Sequence, residues 1–277
     1  MTDLTQHDFD TPQPPSLLVE LGRGALLVDA GDSDQTRVEV SGTDADLVTV
    51  EHRGDQIVVL APHRRTGFLG REPEYVVTLA LPTDSELVAR LGSADLRATG
   101  RLGTTQVRSG SGDVTLEELS GPASVETGSG DVVLDAIDGE LRVKSGSGDV
   151  AVGRAGGPVA IGTGSGDIRL EACAGPAAVK TGSGDLRIGD AADDVSMTTG
   201  SGDLVVDTFR KGRFTARGAS GDLLVGVPAG IPVWTDLHSV SGEIYSDLAG
   251  AGRPADGEDY IELRAKTVSG DITLRQA

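Results

Sequence analysis

The tripeptide Ser-Gly-Asp recurs at an almost constant spacing through the middle of this 277-residue chain. Successive aspartates lie 18 residues apart, except for a last interval of 19, at Asp113, Asp131, Asp149, Asp167, Asp185, Asp203 and Asp222. The same frame begins one interval upstream at Asp95 and continues, after insertions, at Glu243 and Asp271. A fixed period of this length is typical of a protein that stacks copies of one small unit.

Each period contains two short runs in which apolar and polar residues alternate, which predicts two strands with one buried face each. Aligned periods give apolar columns: Val114, Val132, Val150, Ile168, Leu186, Leu204 and Leu223 in one strand, and Val125, Val143, Ile161, Val179, Met197 and Ala216 in the other. A two-strand unit cannot bury its apolar face alone. The sequence therefore predicts an all-β fold, a single-stranded parallel β-solenoid with 18 residues per turn. Right-handed winding, a right-handed β-helix, is favoured for parallel crossovers.

Composition agrees with a narrow interior. The chain has 40 glycines but only eight aromatic residues, four Phe, three Tyr and one Trp. Glycines at each Ser-Gly-Asp corner suit sharp turns, and Pro122, Pro158 and Pro176 suit the opposite corner. Columns of aliphatic side chains leave little room for rings.

Three segments are expected along the chain. Residues 1–16 are predicted to be a disordered N-terminal tail, and residues 92–277 to form the solenoid repeats with irregular C-terminal turns. Between them, residues 17–91 alternate without the 18-residue frame in the runs 17–21, 26–30, 37–40, 56–60 and 75–81. We expect these runs to be the strands of an N-terminal β cap, which covers an otherwise exposed solenoid end. At the other end, residues 248–259 are expected to loop out before the strands 261–268 and 271–274 close the stack.

A formal net charge of −19 makes nucleic acid a poor partner, because its binding depends on basic side chains. The first ten residues lack the basic and apolar regions of a secretory signal, and no apolar stretch is long enough for a transmembrane segment. The chain is therefore expected to be cytoplasmic. The single cysteine, Cys173, fits a reducing compartment and shares its repeat position with core residues.

The repeated Ser-Gly-Ser-Gly-Asp corners, the Ala80-Leu81-Pro82 strand exit and the closing Thr267-Val268-Ser269-Gly270-Asp271-Ile272 segment resemble a bacterial family of β-strand-repeat proteins, a domain of unknown function known as "putative adhesin". The resemblance extends from about Leu17 to Leu274. It implies a repeat fold without a known enzymatic activity.

The aspartate ladder has two interpretations. In the structural one, each aspartate accepts hydrogen bonds from backbone N–H groups of its own glycine-rich corner. In the functional one, cations lie between turns, with Asp113, Asp131, Asp149, Asp167, Asp185, Asp203 and Asp222 as candidate metal ligands. One carboxylate per turn is few for a calcium site, which needs six to eight oxygen ligands. No metal or cofactor is therefore assigned.

A second polar column contains Thr127, Ser145, Thr163, Thr181 and Thr199. Its parity relative to Val125 places it inward at the corner. There the hydroxyl groups are expected to bond to one another and to the backbone, rather than to form an exposed ligand-binding array.

One loop, residues 61–73, carries the densest basic cluster of the chain. Its candidate partner-binding residues are Arg64, Arg65, Phe68, Leu69 and Arg71. They could contact an acidic partner, a membrane surface or the acidic ladder of another copy; a solvated loop that folds Phe68 onto the cap is the structural alternative.

The sequence lacks a phosphate-binding loop, a His-Glu-x-x-His motif and a cysteine pair for zinc. The resulting hypothesis is a non-catalytic scaffold or adhesin-like interaction module of unknown protein partner, either monomeric or weakly self-associating. Two alternatives stay open: a cation-binding acidic β-roll of the calcium type, and an end-to-end polymer that resembles the bactofilins.

Overall fold

The computed structural model describes residues 3–62, 73–248 and 260–277. The chain forms two compact units, Met1–Gly139 and Glu140–Ala277. The described residues are almost entirely in β-strands, and a single 3₁₀ turn, Ala45–Leu47, is the one helical element among them. The all-β expectation is therefore confirmed.

The strands of unit 1 form two sheets. They are β1 (Asp3–Asp10), β2 (Ser16–Leu21), β3 (Gly24–Gly31), β4 (Gln35–Gly42), β5 (Thr49–Arg53), β6 (Gln56–Leu60), β7 (Tyr75–Pro82), β8 (Glu86–Leu91), β9 (Asp95–Leu102), β10 (Thr105–Ser109), β11 (Val114–Leu119), β12 (Ala123–Thr127) and β13 (Val132–Ile137). Within the unit, sheet A follows the order β1-β4-β7-β3-β9-β11-β13, and sheet B the order β12-β10-β8-β2-β6-β5.

The five runs expected as strands between residues 17 and 91 are strands β2, β3, β4, β6 and β7. The prediction of a disordered tail over residues 1–16 is wrong, because β1 pairs antiparallel with β4 along its whole length, from Asp3 opposite Gly42 to Asp10 opposite Gln35. Most residues of β1 are polar, so the sequence does not show the apolar alternation that predicts a strand. The outer strand of a sheet needs only backbone partners on one side, so a polar strand is tolerated there.

Strand pairing in unit 1 also continues across residue 91, where the sequence places a segment boundary. Leu87 of β8 lies opposite Thr105 of β10, and Leu26 of β3 lies opposite Leu96 of β9, both in parallel pairs. The non-repeating strands therefore share their sheets with the repeats. Antiparallel pairing is confined to β1–β4, β4–β7 and β5–β6 among the described pairs of this unit.

The strands of unit 2 pair in parallel. They are β14 (Leu141–Ser145), β15 (Val150–Ala155), β16 (Val159–Thr163), β17 (Ile168–Cys173), β18 (Ala177–Thr181), β19 (Leu186–Ala191), β20 (Val195–Thr199), β21 (Leu204–Phe209), β22 (Gly212–Arg217), β23 (Leu223–Val227), β24 (Val233–Ser239), β25 (Ile244–Ser246), β26 (Ile261–Thr267) and β27 (Ile272–Gln276). Within the unit, sheet A follows the order β15-β17-β19-β21-β23-β27-β25, and sheet B the order β14-β16-β18-β20-β22-β26-β24.

The predicted apolar columns are present in the register of these strands. In sheet A of unit 2, Val150 lies opposite Ile168, Ile168 opposite Leu186, Leu186 opposite Leu204, and Leu204 opposite Leu223. All five side chains are buried. In unit 1, Val114 lies opposite Val132 in the same way. The core of each unit is thus a set of stacked aliphatic rows.

The last two strands of the sequence do not close the stack as expected. β26 lies between β22 and β24, and β27 lies between β23 and β25, so that the earlier strands β24 and β25 occupy the edge. The apolar character of the strands agrees with this order. The inward residues of β26, Ile261, Leu263 and Ala265, are no more than 1% exposed, whereas β25 is exposed throughout. The more apolar strand takes the position with neighbours on both sides.

Glycine is required at the corners because the backbone of the preceding turn lies against it. A Cβ atom added at Gly184 would lie 2.0 Å from the carbonyl oxygen of Gly166. No side chain fits in that space. Across the described ranges, no helix has the length and hydropathy of a membrane span.

Candidate interaction site

The aspartate ladder is a row of hydrogen bonds that runs from strand to strand. In unit 2, Oδ1 of Asp167 accepts the backbone N–H of Asp185 at 2.8 Å, and Oδ1 of Asp185 accepts that of Asp203 at the same distance. The row continues through Asp222 and Asp271 to the N–H of Glu243. In unit 1, Asp95, Asp113 and Asp131 are linked in the same way.

The sequence-based expectation that each aspartate serves its own corner is therefore wrong in one respect. The backbone donor belongs to the next turn. The N–H groups of the corner itself have other partners: that of Gly184, for example, donates to Oγ1 of Thr181 at 3.0 Å. Each carboxylate points along the stack and accepts the backbone N–H of the next turn, because the N–H groups of its own corner already have other partners.

The seven candidate metal ligands are spread along this row rather than gathered at one point. In the described part of the chain, no three His, Cys, Asp or Glu side chains form a group that could hold a metal ion. Where the hydrogen bond is described, Oδ1 of each carboxylate accepts a backbone N–H. Neighbouring carboxylates about 5 Å apart also repel each other in water by about 0.8 kcal/mol.

The polar column at the inner side of the corner is structural: its hydroxyl groups bond to the backbone as expected, whereas the expected bonds between hydroxyl groups are not among the described hydrogen bonds. Thr127, Thr163, Thr181 and Thr199 are 8%, 8%, 7% and 4% exposed. Oγ1 of Thr181 accepts the N–H of Gly184 and donates to the carbonyl oxygen of Gly166 at 3.2 Å. The hydroxyl groups of Thr163 and Thr199 likewise donate to the carbonyl oxygen of the preceding corner, whereas that of Ser145 donates within its own corner.

Cys173 is a core residue. It is 2% exposed and lies between Ala155 and Ala191 of the adjacent strands. Desolvation raises the pKa of its thiol to about 11. The thiol is therefore protonated at neutral pH and is no nucleophile.

Of the basic loop, the structure describes residues 61, 62 and 73. Its candidate partner-binding residues, Arg64, Arg65, Phe68, Leu69 and Arg71, lie outside the described residues.

Exposed apolar side chains are concentrated at one edge of unit 2. The described ranges contain ten large exposed apolar residues. Three of them lie in β24 or β25, and three more lie directly beside β24 or β26. They are Trp234, Val240, Ile244, Tyr245, Tyr260 and Val268, with exposures from 47% to 79%. We name these six residues the C-terminal edge patch. Exposed apolar surface at the end of a sheet is typical of interaction sites.

The C-terminal edge patch includes the uncovered end of a core column. Ile244 is 47% exposed, although its register partner Ile272 is fully buried. The guanidinium carbon of Arg264 lies 5.4 Å from the centre of the Trp234 ring, which holds that ring against the sheet. Sequence reasoning missed this site. The available signal was the position of the single Trp and two of the three Tyr within residues 234–260 of an aromatic-poor chain.

A family model described as Toastrack DUF4097 matches residues 19–188. Among solved structures, a putative adhesin from Parabacteroides merdae is similar over 98% of this chain and 95% of its own, with 13% identity and a TM-score of 0.50. A putative adhesin from Bacteroides fragilis (98% and 97% covered, 15% identity, TM-score 0.35) and a putative lipid binding protein from Parabacteroides distasonis (99% and 97% covered, 12% identity, TM-score 0.35) are also similar. No curated protein matches the chain in sequence. At these identities the structural similarity concerns the fold alone.

Proposed function

This chain belongs to the Toastrack DUF4097 family, and on that premise we propose that it is a non-catalytic, adhesin-like interaction module that binds a protein partner through the C-terminal edge patch. The observation that carries the proposal is the concentration of exposed apolar side chains at one edge of unit 2, including the uncovered end of a core column at Ile244. A rigid β-solenoid-like framework presents them without further ordering.

The chemistry of the patch fits a polypeptide that adds to the edge of the sheets. Trp234 and Tyr245 offer large, rigid contact areas at low entropic cost, the kind of residue that carries most of the binding free energy at interfaces. An added segment could pair with the backbone of β25, the outer strand of sheet A, and cover Ile244. Such burial would complete the core column that ends there.

Several observations support a non-catalytic role. The titratable carboxylates of the repeats are exposed and used as backbone acceptors, and the Cys173 thiol is buried and protonated. In the described residues His238 pairs with Asp236 at 2.8 Å on an exposed edge strand. These groups do not converge on a shared cleft.

The test is a comparison of what two matched double variants capture from the protein's own cells. The patch variant, Trp234→Ala with Tyr245→Ala, is expected to lose at least tenfold in affinity for partners bound by the wild type, because two aromatic anchors are removed. The control variant, Leu27→Ala with Val133→Ala, changes exposed apolar residues of unit 1 and should capture the same partners as the wild type. Equal capture by all three proteins, each with an unchanged thermal melt, would exclude the patch as the binding site.

The winding, the period and the segment bounds of the fold are also proposals. We propose a right-handed β-helix with 18 residues per turn, in which residues 17–91 form the cap and residues 92–277 the repeats. The register of the strand pairs supports the period. A cytoplasmic location stays a prediction of the sequence, which fractionation of cells tests.

Two alternative functions also stay predictions. Cation binding by the aspartate ladder predicts a melting temperature that depends on calcium. End-to-end polymerisation predicts filaments whose amount depends on protein concentration. Charge counts against the polymer: β1, the outer strand of sheet A in unit 1, carries Asp3, Asp8 and Asp10, and the outer strands of unit 2 carry Asp236 and an adjacent Glu243. Contact between two acidic edges would be repulsive.

A further inference from the structure

A row of basic side chains lies on the outward face of sheet B in unit 2. Lys180 lies two strand steps from Lys144 and two from Arg217, and Arg217 lies directly opposite Lys266. All four side chains are exposed. We name Lys144, Lys180, Arg217 and Lys266 the basic strip. It stands out in a chain whose net charge is −19.

Ion pairs within the described ranges do not account for Lys180, Arg217 and Lys266 of the basic strip. Within the described ranges, Lys180, Arg217 and Lys266 form no ion pair, whereas the neighbouring Arg213 and Arg264 both pair with Glu262. Like charges directly opposite each other on adjacent strands, as in Arg217 and Lys266, are destabilising. Such an arrangement calls for an anionic partner.

An acidic strip flanks the same corner. Each basic residue is followed five positions later by an aspartate of the ladder, as in Lys180 and Asp185, or Arg217 and Asp222. Between them the turn contains mainly glycine and serine, which permit close approach. We name the exposed ladder residues of unit 2 the acidic strip: Asp149, Asp167, Asp185, Asp203, Asp222 and Asp271. The acidic strip repeats at the strand spacing, about 4.8 Å, whereas successive residues of the basic strip are separated by two, two and one strand steps.

We propose that a second copy of this chain docks side by side on this corner, with each basic strip against the acidic strip of the other copy. A twofold axis parallel to the stacking direction exchanges the two sides of the corner while it preserves position along the stack. Basic residues of one copy then face aspartates of the other, because every turn that carries a basic residue also carries an aspartate of the ladder. Isologous contacts of this symmetry are the commonest form of homodimer.

The acidic strip also distinguishes a second copy from a foreign polyanion. A polyanion that approaches the basic strip also approaches the six carboxylates of the same corner, and charges act over about 8 Å at physiological salt. A partner that carries both signs in the same order avoids this repulsion. Exposed pairs contribute little each, and the net charge opposes association, so the dimer is expected to be weak, with a Kd on the order of 0.1 mM.

Sedimentation equilibrium of the full chain, from about 0.01 to 1 mM, tests the proposal with two variants. The basic variant is Lys180→Gln, Arg217→Gln and Lys266→Gln. The acidic variant is Asp185→Asn, Asp203→Asn and Asp222→Asn, in which each side-chain carbonyl oxygen can still accept the backbone N–H of the next turn. Each variant alone is expected to dimerise at least about tenfold more weakly than the wild type. Arg154→Gln, a change of an exposed arginine outside both strips, should leave the dimer unchanged.

Mixing the two variants gives the more specific result. The acidic strip of the basic variant faces the basic strip of the acidic variant, so one of the two strip contacts is restored and a heterodimer should form where neither variant dimerises alone. The proposal is overturned if the wild type is monomeric at all concentrations, or if the variants, shown to be folded by circular dichroism, dimerise as the wild type does. Binding of heparin or phosphatidylserine vesicles by a monomer, lost in the basic variant, would instead assign the strip to a foreign polyanion and also overturn it.

Discussion

Parity along a strand determines much of what single residues do in this molecule. Thr199 is inward because it lies two positions from the inward Met197, whereas Cys173 is inward because it shares its repeat position with the buried Ala155 and Ala191, and the sequence predicts both correctly. Parity could not predict which backbone N–H donates to the carboxylate of Asp185. Its acceptor oxygen serves Asp203 of the next turn, and the direction of a side chain along the stack follows from which corner donors are already occupied, a property of the folded backbone.

The buried thiol of Cys173 predicts a pH dependence of stability. Its pKa is raised from the ordinary 9.0 to about 11, so the contribution is fully present below pH 9 and is lost as the pH rises through 11. The variant Cys173→Ala, which the alanines on both adjacent strands show to be compatible with the site, lacks this contribution. The difference in urea-unfolding free energy between wild type and variant should shrink by up to about 2.7 kcal/mol between pH 8 and 11. A constant difference would contradict a buried, protonated thiol.

At the scale of strands and corners, the repeating elements were predictable and the non-repeating ones only in part. The apolar columns fix the register of β15, β17 and β19 because a slip by one residue would expose every inward side chain. No repeat constrains β1, whose polar sequence hides an edge strand, or the order of β24 and β26. The inward apolar residues Ile261 and Leu263 favour the interior position for β26, but only the folded chain determines which neighbours are available to it.

The corner predicts a sharp difference between two glycine substitutions. Gly184→Ala places a methyl group 2.0 Å from the carbonyl oxygen of Gly166, so the backbone must shift, and stability should fall by about 1 to 3 kcal/mol or more. Gly31→Ala is the control, because an added Cβ there meets no atom within 4 Å. Chemical denaturation of both variants measures the contrast. Equal stability of the two would contradict the close stacking of successive corners.

For the whole molecule, the dominant physical quantity is the net charge of −19. The aspartates of the ladder contribute to it as an ordered row. The sequence identified the acidic row from its period. The opposing basic strip was missed because its members occur at every second repeat, at residues 144 and 180, or after an insertion, at residue 266. The C-terminal edge patch was missed because the exposure of its residues depends on the exchange of β24 and β26.

Cations should therefore stabilise the molecule by screening rather than by occupying a site. About 5 mM calcium and the same concentration of magnesium are expected to raise the melting temperature equally, and no more than sodium chloride of matched ionic strength. The reason is that ladder carboxylates already serve backbone donors and are not gathered into a cage. A melting temperature several degrees higher in calcium than in magnesium would support the cation-binding alternative.

The position of β26 and β27 between earlier strands has a consequence for biosynthesis. A ribosome releases β24 and β25 before the strands that separate them from β22 and β23, so this end of unit 2 cannot be assembled one turn after another as translation proceeds. The nascent chain must hold β24 and β25 away from the growing stack, or release them from it, until both later strands have emerged. Ribosome pausing between residues 246 and 261 would lengthen the interval in which that end is incomplete.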